Sequence, residues 1–212
     1  MLYFEFPLKK TFIFDTLLLY KCTVKFEKEN VHYLFLEEHM KTIKKKDQLI
    51  LSATELFNKQ GYNATGIDQI VEHANVATMT LYRNFKSKEK LIESVLLRRE
   101  ILYFSYLFDN EDLSIENIVV RHLNWLENYH SNGCLFLKAN EEYQNKNVEI
   151  TKIVKQHKIN LFNKLNDILK NEEMSFKIMM VLEGSTSMAE YIGIDIVRKT
   201  TLKLMKDVIK DV

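Results

Sequence analysis

Five side chains in one short segment are suited to contacting nucleic acid. The segment runs from Asn75 to Lys86, and a helix there would turn three apolar residues inward: Val76, Leu81 and Phe85. The side chains left on the outward face would then be Thr78, Met79, Thr80, Tyr82 and Arg83. Because hydroxyl and guanidinium groups hydrogen-bond to phosphates and base edges, the segment predicts a helix that reads DNA.

A second helix and a tight turn would hold this segment against a core. Residues 65–74 predict that helix, with an apolar stripe made of Ile67, Ile70, Val71 and Ala74. Thr65 and Asp68 form a capping pair at its start, and Asn75 follows where a turn needs a left-handed residue. A helix, a tight turn and an outward-facing second helix are typical of a helix-turn-helix, whose second helix enters the major groove.

Three runs of residues carry a family pattern: Leu56–Tyr62, Thr65–Ala74 and Thr80–Leu91. Together they resemble the DNA-binding domain of the tetracycline-repressor (TetR) family of bacterial transcriptional regulators. Asn75 departs from the pattern, since the family usually has Gly there, and Ala77 stands where the family has a Ser or Thr cap. Losing that cap costs about 0.5 to 2 kcal/mol unless Thr78 takes the role, so the recognition helix could begin at either residue.

The resemblance implies an all-α fold in two parts. An N-terminal three-helix DNA-binding domain contains the helix-turn-helix, and a C-terminal helical domain binds ligand and dimerises. It further implies a homodimer acting on a near-palindromic double-stranded DNA operator, under the control of a small organic effector.

The resemblance also assigns contacts to individual residues. Thr65, Tyr82 and Lys88 would hold phosphates, and Thr78, Met79 and Arg83 would face base edges, with partial core packing as the alternative for Tyr82. Lys44 and Lys46 lie in a lysine run that is either an arm reaching DNA or a solvated face. The full predicted DNA-binding set is Lys44, Lys46, Thr65, Thr78, Met79, Thr80, Tyr82, Arg83, Lys86 and Lys88.

Composition agrees with a helical, DNA-binding protein. One Pro and five Gly in 212 residues leave little to interrupt helices. The net charge of +1 hides an asymmetry, because residues 41–99 hold 11 Lys and Arg against 6 Asp and Glu, a balance of +5. This basic part coincides with the helix-turn-helix, as electrostatic attraction to phosphate requires.

Little in the sequence indicates an enzyme or a metal site. We find no Gly-rich phosphate loop, no nucleophile elbow and no zinc-type spacing of Cys and His, so no cofactor is predicted. Cys22 and Cys134 lie far apart, which fits a reducing cytoplasm; Cys134 is either a buried core residue or a redox-sensing thiol. Glu141 and Glu142 are interpreted as solvated surface rather than a catalytic pair.

The sequence divides into three parts. Residues 1–39 are predicted to be a poorly structured or non-native extension, with Met40 as the native start and a genuine accessory extension as the alternative. Their longest apolar run is too short to span a bilayer. Residues 40–86 form the DNA-binding domain and residues 87–212 the helical regulatory and dimerisation domain.

Successive helices are predicted after Ser87. The first runs to about Phe108, with an apolar stripe made of Leu91, Val95, Ile101 and Leu102. By the resemblance, the last two helices, at 176–192 and 194–209, pair with those of a second subunit. Small residues there would allow close helix approach or internal packing: Gly184, Ser185, Ser187 and Ala189.

Bulky aromatic and soft side chains in this domain could enclose a ligand pocket, although core packing is the alternative for each. The predicted lining is Tyr103, Leu107, Trp125, Tyr129, His157, Phe162 and Met180. We expect an uncharged or weakly polar organic molecule, anchored by His157 or a tyrosine hydroxyl. Wedged against the helix that follows Ser87, it would tilt that helix and change the spacing of the two recognition helices.

Three classes of function are thus open. The first is a ligand-responsive transcriptional regulator, most simply a repressor. The second is a DNA-binding protein of the same fold without a small-molecule effector, controlled by a protein partner. The third is an enzyme or lipid carrier that merely uses helices, which the helix-turn-helix disfavours.

Overall fold

The computed structural model describes residues 44–129 and 133–210, and every regular element in these ranges is a helix. The extension over residues 1–39, the start at Met40 and the cysteine at position 22 lie outside them. The helices are α1 Lys45–Gln60, α2 Ile67–His73, α3 Thr78–Phe85, α4 Lys88–Phe108, α5 Ile115–Tyr129, α6 Leu135–Tyr143, α7 Val148–Leu169, α8 Glu172–Ile192 and α9 Ile194–Lys210. The all-α prediction is confirmed.

Helices α1 to α3 pack around a small apolar core. On α1, Leu49, Ala53 and Phe57 are completely buried, and Leu56 packs against the same core. From α3, Leu81 is fully buried and Phe85 is 4% exposed, so the predicted inward face of this helix is confirmed. An eight-residue helix is marginal by itself, and its position therefore depends on these contacts.

The start of α2 differs from the predicted capping pair. The N-cap residue is Gly66, whose backbone N–H donates to Oε1 of Gln69 over 2.8 Å. Thr65 lies one residue earlier and Asp68 is not part of the cap. The sequence places the N-cap one residue too early, at Thr65, because Gly66 has no side chain that would identify it as a capping residue.

The turn between α2 and α3 has the predicted left-handed residue, since Asn75 has a φ of 52°. Helix α3 then begins at Thr78, with Ala77 as an N-cap that provides no side-chain hydrogen bond. Thr78 therefore does not replace the missing cap. The backbone N–H of Thr80 donates to the carbonyl oxygen of Ala77 over 2.8 Å. The amides of Thr78 and Met79 have no acceptor among the described residues, as expected where a helix end meets a phosphate.

Helix α4 joins α1, α2 and α3 to the rest of the chain. Ser87 caps it, with its hydroxyl oxygen accepting the N–H of Lys90 over 3.3 Å. Of the predicted stripe, Leu91, Val95 and Leu102 are buried, whereas Ile101 is 61% exposed, which corrects its assignment. Twenty-one residues give a helix about 30 Å long, long enough to connect the two parts.

Helices α5 to α9 build the second part of the chain around α4. Helix α7 packs between α4, α6 and α8, and α9 packs against α5 and α8. One apolar face of α5 is buried, including Ile118, Leu123 and Trp125. Among the described residues, no helix is both long enough and apolar enough to cross a membrane.

Candidate nucleic-acid interface and buried cavity

The outer face of α3 is exposed and chemically suited to DNA. Met79 is 77% exposed and Tyr82 is 45% exposed, while Thr78 and Arg83 are also exposed. These four side chains surround the first turns of a helix whose opposite face is fixed in the core. A rigid helix with an exposed Arg and hydroxyl groups can place donors against base edges and phosphates.

Two predicted DNA contacts are corrected by their burial. Thr80 is only 5% exposed, so it faces the core rather than outward. Thr65 is completely buried, and its hydroxyl donates to the carbonyl oxygen of Gly61 over 2.7 Å. The backbone N–H of Thr65 also has a partner, the carbonyl oxygen of Tyr62 at 3.2 Å. Thr65 therefore has no donor left for a phosphate.

Basic side chains lie on both sides of α3. Lys44 and Lys46 are exposed at the start of α1, and the Nζ of Lys46 lies 5.8 Å from the ring centroid of Phe85. Lys86 follows α3 in a left-handed conformation, with a φ of 63°. Lys88 is half-buried at the start of α4, where burial lowers the pKa of its ammonium group. Lys46 thus lies beside α3, and Lys86 and Lys88 follow α3 directly in the chain.

Helix α6 is bonded to the end of α1, a contact that the sequence analysis missed. The carboxylate of Glu142 accepts the backbone N–H groups of Tyr62 and Asn63 over 2.9 and 2.5 Å. The Tyr62 hydroxyl donates to the carbonyl oxygen of Leu135, and the Lys138 ammonium donates to that of Asn58, both over 3.0 Å. Glu142, predicted to be solvated surface, instead ties the second part of the chain to the DNA-binding helices.

A small buried cavity lies among α4, α5, α7 and α8. Three of the predicted pocket residues line it: Tyr103, Trp125 and His157. Its volume is about 30 Å³, enough for roughly two water molecules. An organic ligand could enter only if the surrounding helices moved apart.

The other four predicted pocket residues do not line this cavity. Leu107 is completely buried in the core, and Tyr129 stacks on the far side of Trp125 with ring centroids 4.3 Å apart. Phe162 packs edge-on against Phe176 at 6.2 Å. Met180 is 62% exposed and borders a separate groove. Their soft or aromatic character is equally compatible with core packing and with surface grooves, so composition alone misassigned them.

Polar residues of the cavity were missed by the sequence analysis. Arg99 lies over the ring of Trp125 at 4.5 Å and donates to the carbonyl oxygen of Tyr129 over 2.9 Å. His122 is 2% exposed, and burial lowers its pKa to about 3. His122 lies four residues after Ile118 and four before Leu126, and both of these residues are buried. Arg99 lies in the same way between Val95 and Tyr103, so helical spacing is the signal that could have found both. Cys134, predicted as a small core residue, is buried and also lines the cavity.

An apolar groove of about 260 Å³ lies between α8 and α9. Its exposed apolar border includes Met180, Met188, Ile196 and Leu204, with exposures from 43 to 62%. Gly184 lies in the groove, and a methyl group at its Cα would meet no atom within 4 Å. A contiguous apolar surface containing small residues suits close contact with another helix pair.

The DNA-binding part matches a known family. Residues 49–95 match the family described as "Bacterial regulatory proteins, tetR family". The match includes most of α1, all of α2 and α3, and the first turns of α4. The matched residues therefore include the helices that hold α3 in place and α3 itself, with its exposed face.

Curated relatives match the same region. The HTH-type transcriptional activator FasR of Mycolicibacterium smegmatis is 41% identical over 54 residues, which are 26% of this chain and 25% of FasR. The HTH-type transcriptional regulator LuxR of Vibrio harveyi is 33% identical over 100 residues, 46% of this chain and 48% of LuxR. The chain thus matches between a quarter and about half of the length of these relatives.

The fold extends the similarity to the second part of the chain. A TetR-family transcriptional regulator from Streptomyces coelicolor superposes with a TM-score of 0.73 at 22% identity, over 79% of this chain and 95% of that protein. At this identity the match shows a shared fold: a helix-turn-helix domain followed by a helical C-terminal domain.

Proposed function

We propose that this chain, whose residues 49–95 belong to the tetR family of bacterial regulatory proteins, is a DNA-binding transcriptional regulator. The observation that carries the proposal is the face of α3. Its inner residues, Leu81 and Phe85, are fixed in the core, while Met79, Tyr82 and Arg83 are exposed on the opposite side. Such a helix can lie in the major groove with its exposed side chains toward the bases.

The protein acts as a homodimer in this proposal. One recognition helix reads only a few base pairs, so two copies related by a two-fold axis would read a near-palindromic operator. The groove between α8 and α9 supports this assembly because it exposes large apolar side chains such as Ile196 and Leu204. Burying these side chains against the same helices of a second copy would remove them from water.

The regulator is most simply a repressor that a small organic ligand releases from DNA. Helix α4 supports this control, because it begins beside α3 at Ser87 and carries Arg99 and Tyr103 to the cavity. Helix α6 offers a second connection through Glu142. The helices would have one arrangement with the cavity closed and another with the cavity enlarged by ligand. The ligand weakens DNA binding only to the extent that it binds the enlarged arrangement more tightly than the closed one.

Mapping bound DNA in cells tests the function. The wild-type protein should occupy a small number of discrete sites, and Arg83→Ala should lose most of them. Lys155→Ala, an exposed cation on α7, is the matched control and should keep them. An unchanged map for Arg83→Ala, or no discrete sites for the wild type, would contradict the proposal.

A further inference from the structure

Three residues that line the cavity among α4, α5, α7 and α8 are half-buried rather than buried: Lys158, Glu183 and Thr186. Most of its lining is nearly inaccessible, including Trp125 and His122 at 2% and Phe136 at 3% exposure. The side chains of Lys158 and Glu183 are 24 and 30% exposed, and the Lys158 ammonium lies 2.6 Å from the Glu183 carboxylate. This ion pair therefore marks the side from which a molecule could enter.

A buried hydrogen-bond chain fixes the proton of the Tyr103 hydroxyl. The hydroxyls of Ser185 and Thr186 donate to the carbonyl oxygen of Leu182 over 2.8 and 2.9 Å. Each hydroxyl has one proton, so both can only accept from Nε2 of His122, which lies 3.0 and 3.3 Å away. The imidazole is neutral, because burial lowers its pKa to about 3.

The other ring nitrogen of His122, Nδ1, must then accept a hydrogen bond. Nδ1 lies 2.8 Å from the Tyr103 oxygen, and a neutral imidazole with its proton on Nε2 has only a lone pair at Nδ1. The Tyr103 hydroxyl consequently donates its proton to His122. Its oxygen can still accept a hydrogen bond but has no proton to give to a ligand.

His157, like Tyr103, offers a hydrogen-bond acceptor to the cavity. Its Nδ1 lies 2.9 Å from Oε2 of Glu100, and the amide of Asn160 donates to Oε1 over 2.8 Å. Burial opposes ionisation of Glu100, but these two hydrogen bonds outweigh it and the pKa of the carboxyl lies below its ordinary value. The carboxylate can only accept, so His157 carries its proton on Nδ1.

The remaining nitrogen of His157 is therefore an acceptor. Burial lowers the pKa of the imidazole despite the bond to Glu100, which leaves the ring neutral at pH 7. Nε2 then carries a lone pair and has no hydrogen-bond partner among the residues that the structure describes. Tyr103 and His157, with ring centroids 6.1 Å apart, thus offer two acceptors in one cavity.

Charge and shape restrict the ligand further. Glu183 also lines the cavity and neutralises Lys158, so Arg99 is the cationic group that would repel a cation. Arg99 already donates to the carbonyl oxygen of Tyr129 over 2.9 Å, and the lone pairs on Tyr103 and His157 would repel the oxygens of an anion. Trp125 and Phe136 give the cavity aromatic walls. Phe136 stacks on His157 with ring centroids 3.7 Å apart, and Arg99 lies over Trp125 at 4.5 Å, so a flat molecule would pack against ring edges or displace these contacts.

We propose that this cavity binds a small, flat, uncharged molecule that donates N–H or O–H hydrogen bonds to Tyr103 and His157, such as a phenol or a heteroaromatic N–H compound. The proposal rests on the proposed function, since it names the class of effector for that regulator. Binding must expand the 30 Å³ cavity, so it would displace α7 or α8 from α4. Ligand entry and helix movement are then one event.

The test titrates the purified full chain with phenol, anisole and benzoate, followed by ligand-detected NMR. Anisole keeps the ring but lacks the donor, and benzoate replaces the donor by a charge. Phenol should bind at least about tenfold more tightly than either, because a probe that cannot donate leaves a buried acceptor without its hydrogen bond. Tyr103→Phe should weaken phenol binding by a similar factor.

Tyr106→Phe is the matched control, since Tyr106 lies on the same helix and does not line the cavity. Thermal unfolding shows whether each variant folds, and the comparison of the three probes on the wild type needs no variant. Anisole binding as tightly as phenol, benzoate binding best, or no binding of any probe up to about 10 mM would each overturn the proposal. DNA binding by the ligand-free protein, measured in parallel, tests the proposed function separately.

Discussion

The carboxylate of Glu142 in α6 accepts the backbone N–H of Tyr62 over 2.9 Å, just after the end of α1. A second bond from the N–H of Asn63 makes the contact bidentate. These residues lie about 80 positions apart in sequence, yet they join the DNA-binding helices to the rest of the chain. Gly61 lies beside the same carboxylate, and a Cβ there would come within 2.9 Å of Oε1.

Replacing Glu142 should weaken this joint. Glu142→Gln keeps the size of the side chain but removes the charge and one of two acceptor oxygens, so the free energy of unfolding should fall by about 1 to 2 kcal/mol. Glu141→Gln, at the exposed neighbouring position, is the control and should change it little. Urea unfolding measures both, and equal stability of the two variants would mean that the contact contributes nothing.

Replacing Arg83 and replacing Lys88 should weaken DNA binding in different ways. Arg83→Ala should lose about 1 to 3 kcal/mol of binding to the specific site and relax one base position. Lys88→Ala should weaken specific and random DNA similarly, because a phosphate contact carries no sequence information. Fluorescence titrations with both DNAs separate the roles, and an equal loss on both for Arg83→Ala would make Arg83 a phosphate contact.

A charge in the groove between α8 and α9 should break the dimer. Leu204→Glu or Ile196→Glu would bury an unpaired carboxylate at the proposed interface, which costs several kcal/mol. Dimerisation and operator binding should be lost together. Ile159→Glu, at an exposed apolar position on α7, is the control. A variant that sediments as a monomer yet keeps full operator affinity would refute the link between assembly and DNA binding.

Acid should destabilise the protein through His122. Its pKa is about 3 in the folded chain against an ordinary value of 6.5, so between these values the unfolded chain binds more protons. The free energy of unfolding therefore falls as the pH decreases below 6.5, by about 1.4 kcal/mol per pH unit for this one group. His157, whose pKa is also lowered by burial, acts in the same direction.

The variant His122→Gln should reduce this slope between pH 6 and 4, as measured by urea unfolding at several pH values. His73→Gln, at an exposed position, controls for the removal of a histidine. An unchanged slope for His122→Gln would show that His122 is not buried as a neutral group.

The elements of the DNA-binding helices could be predicted from local pattern. The spacing of Leu81 and Phe85 indicated the inner face of α3, and the left-handed turn followed from the identity of Asn75. Thr80 was assigned to the wrong face because its burial depends on how α3 packs against its neighbouring helices α1, α2 and α4. Helical periodicity identifies the centre of a buried face but not its width.

The cavity was predictable only in part. Aromatic composition identified Tyr103 and Trp125, but the polarity of the site depends on pairs that are distant in sequence. His122 meets Ser185 across 63 positions and Glu100 meets His157 across 57. A single sequence contains no signal for such pairs, because the side chains are brought together by the packing of separate helices.

In the proposed dimer, two copies of α3 read DNA together. Selection of bound duplexes from a random pool by the purified wild-type protein tests this cooperation between the two helices. We predict enrichment of an inverted repeat whose half-sites are about 34 to 36 Å apart, or a multiple of one DNA turn, and loss of that enrichment in Leu204→Glu. Recovery of no preferred sequence, or of a single asymmetric site bound equally well by Leu204→Glu, would contradict the account.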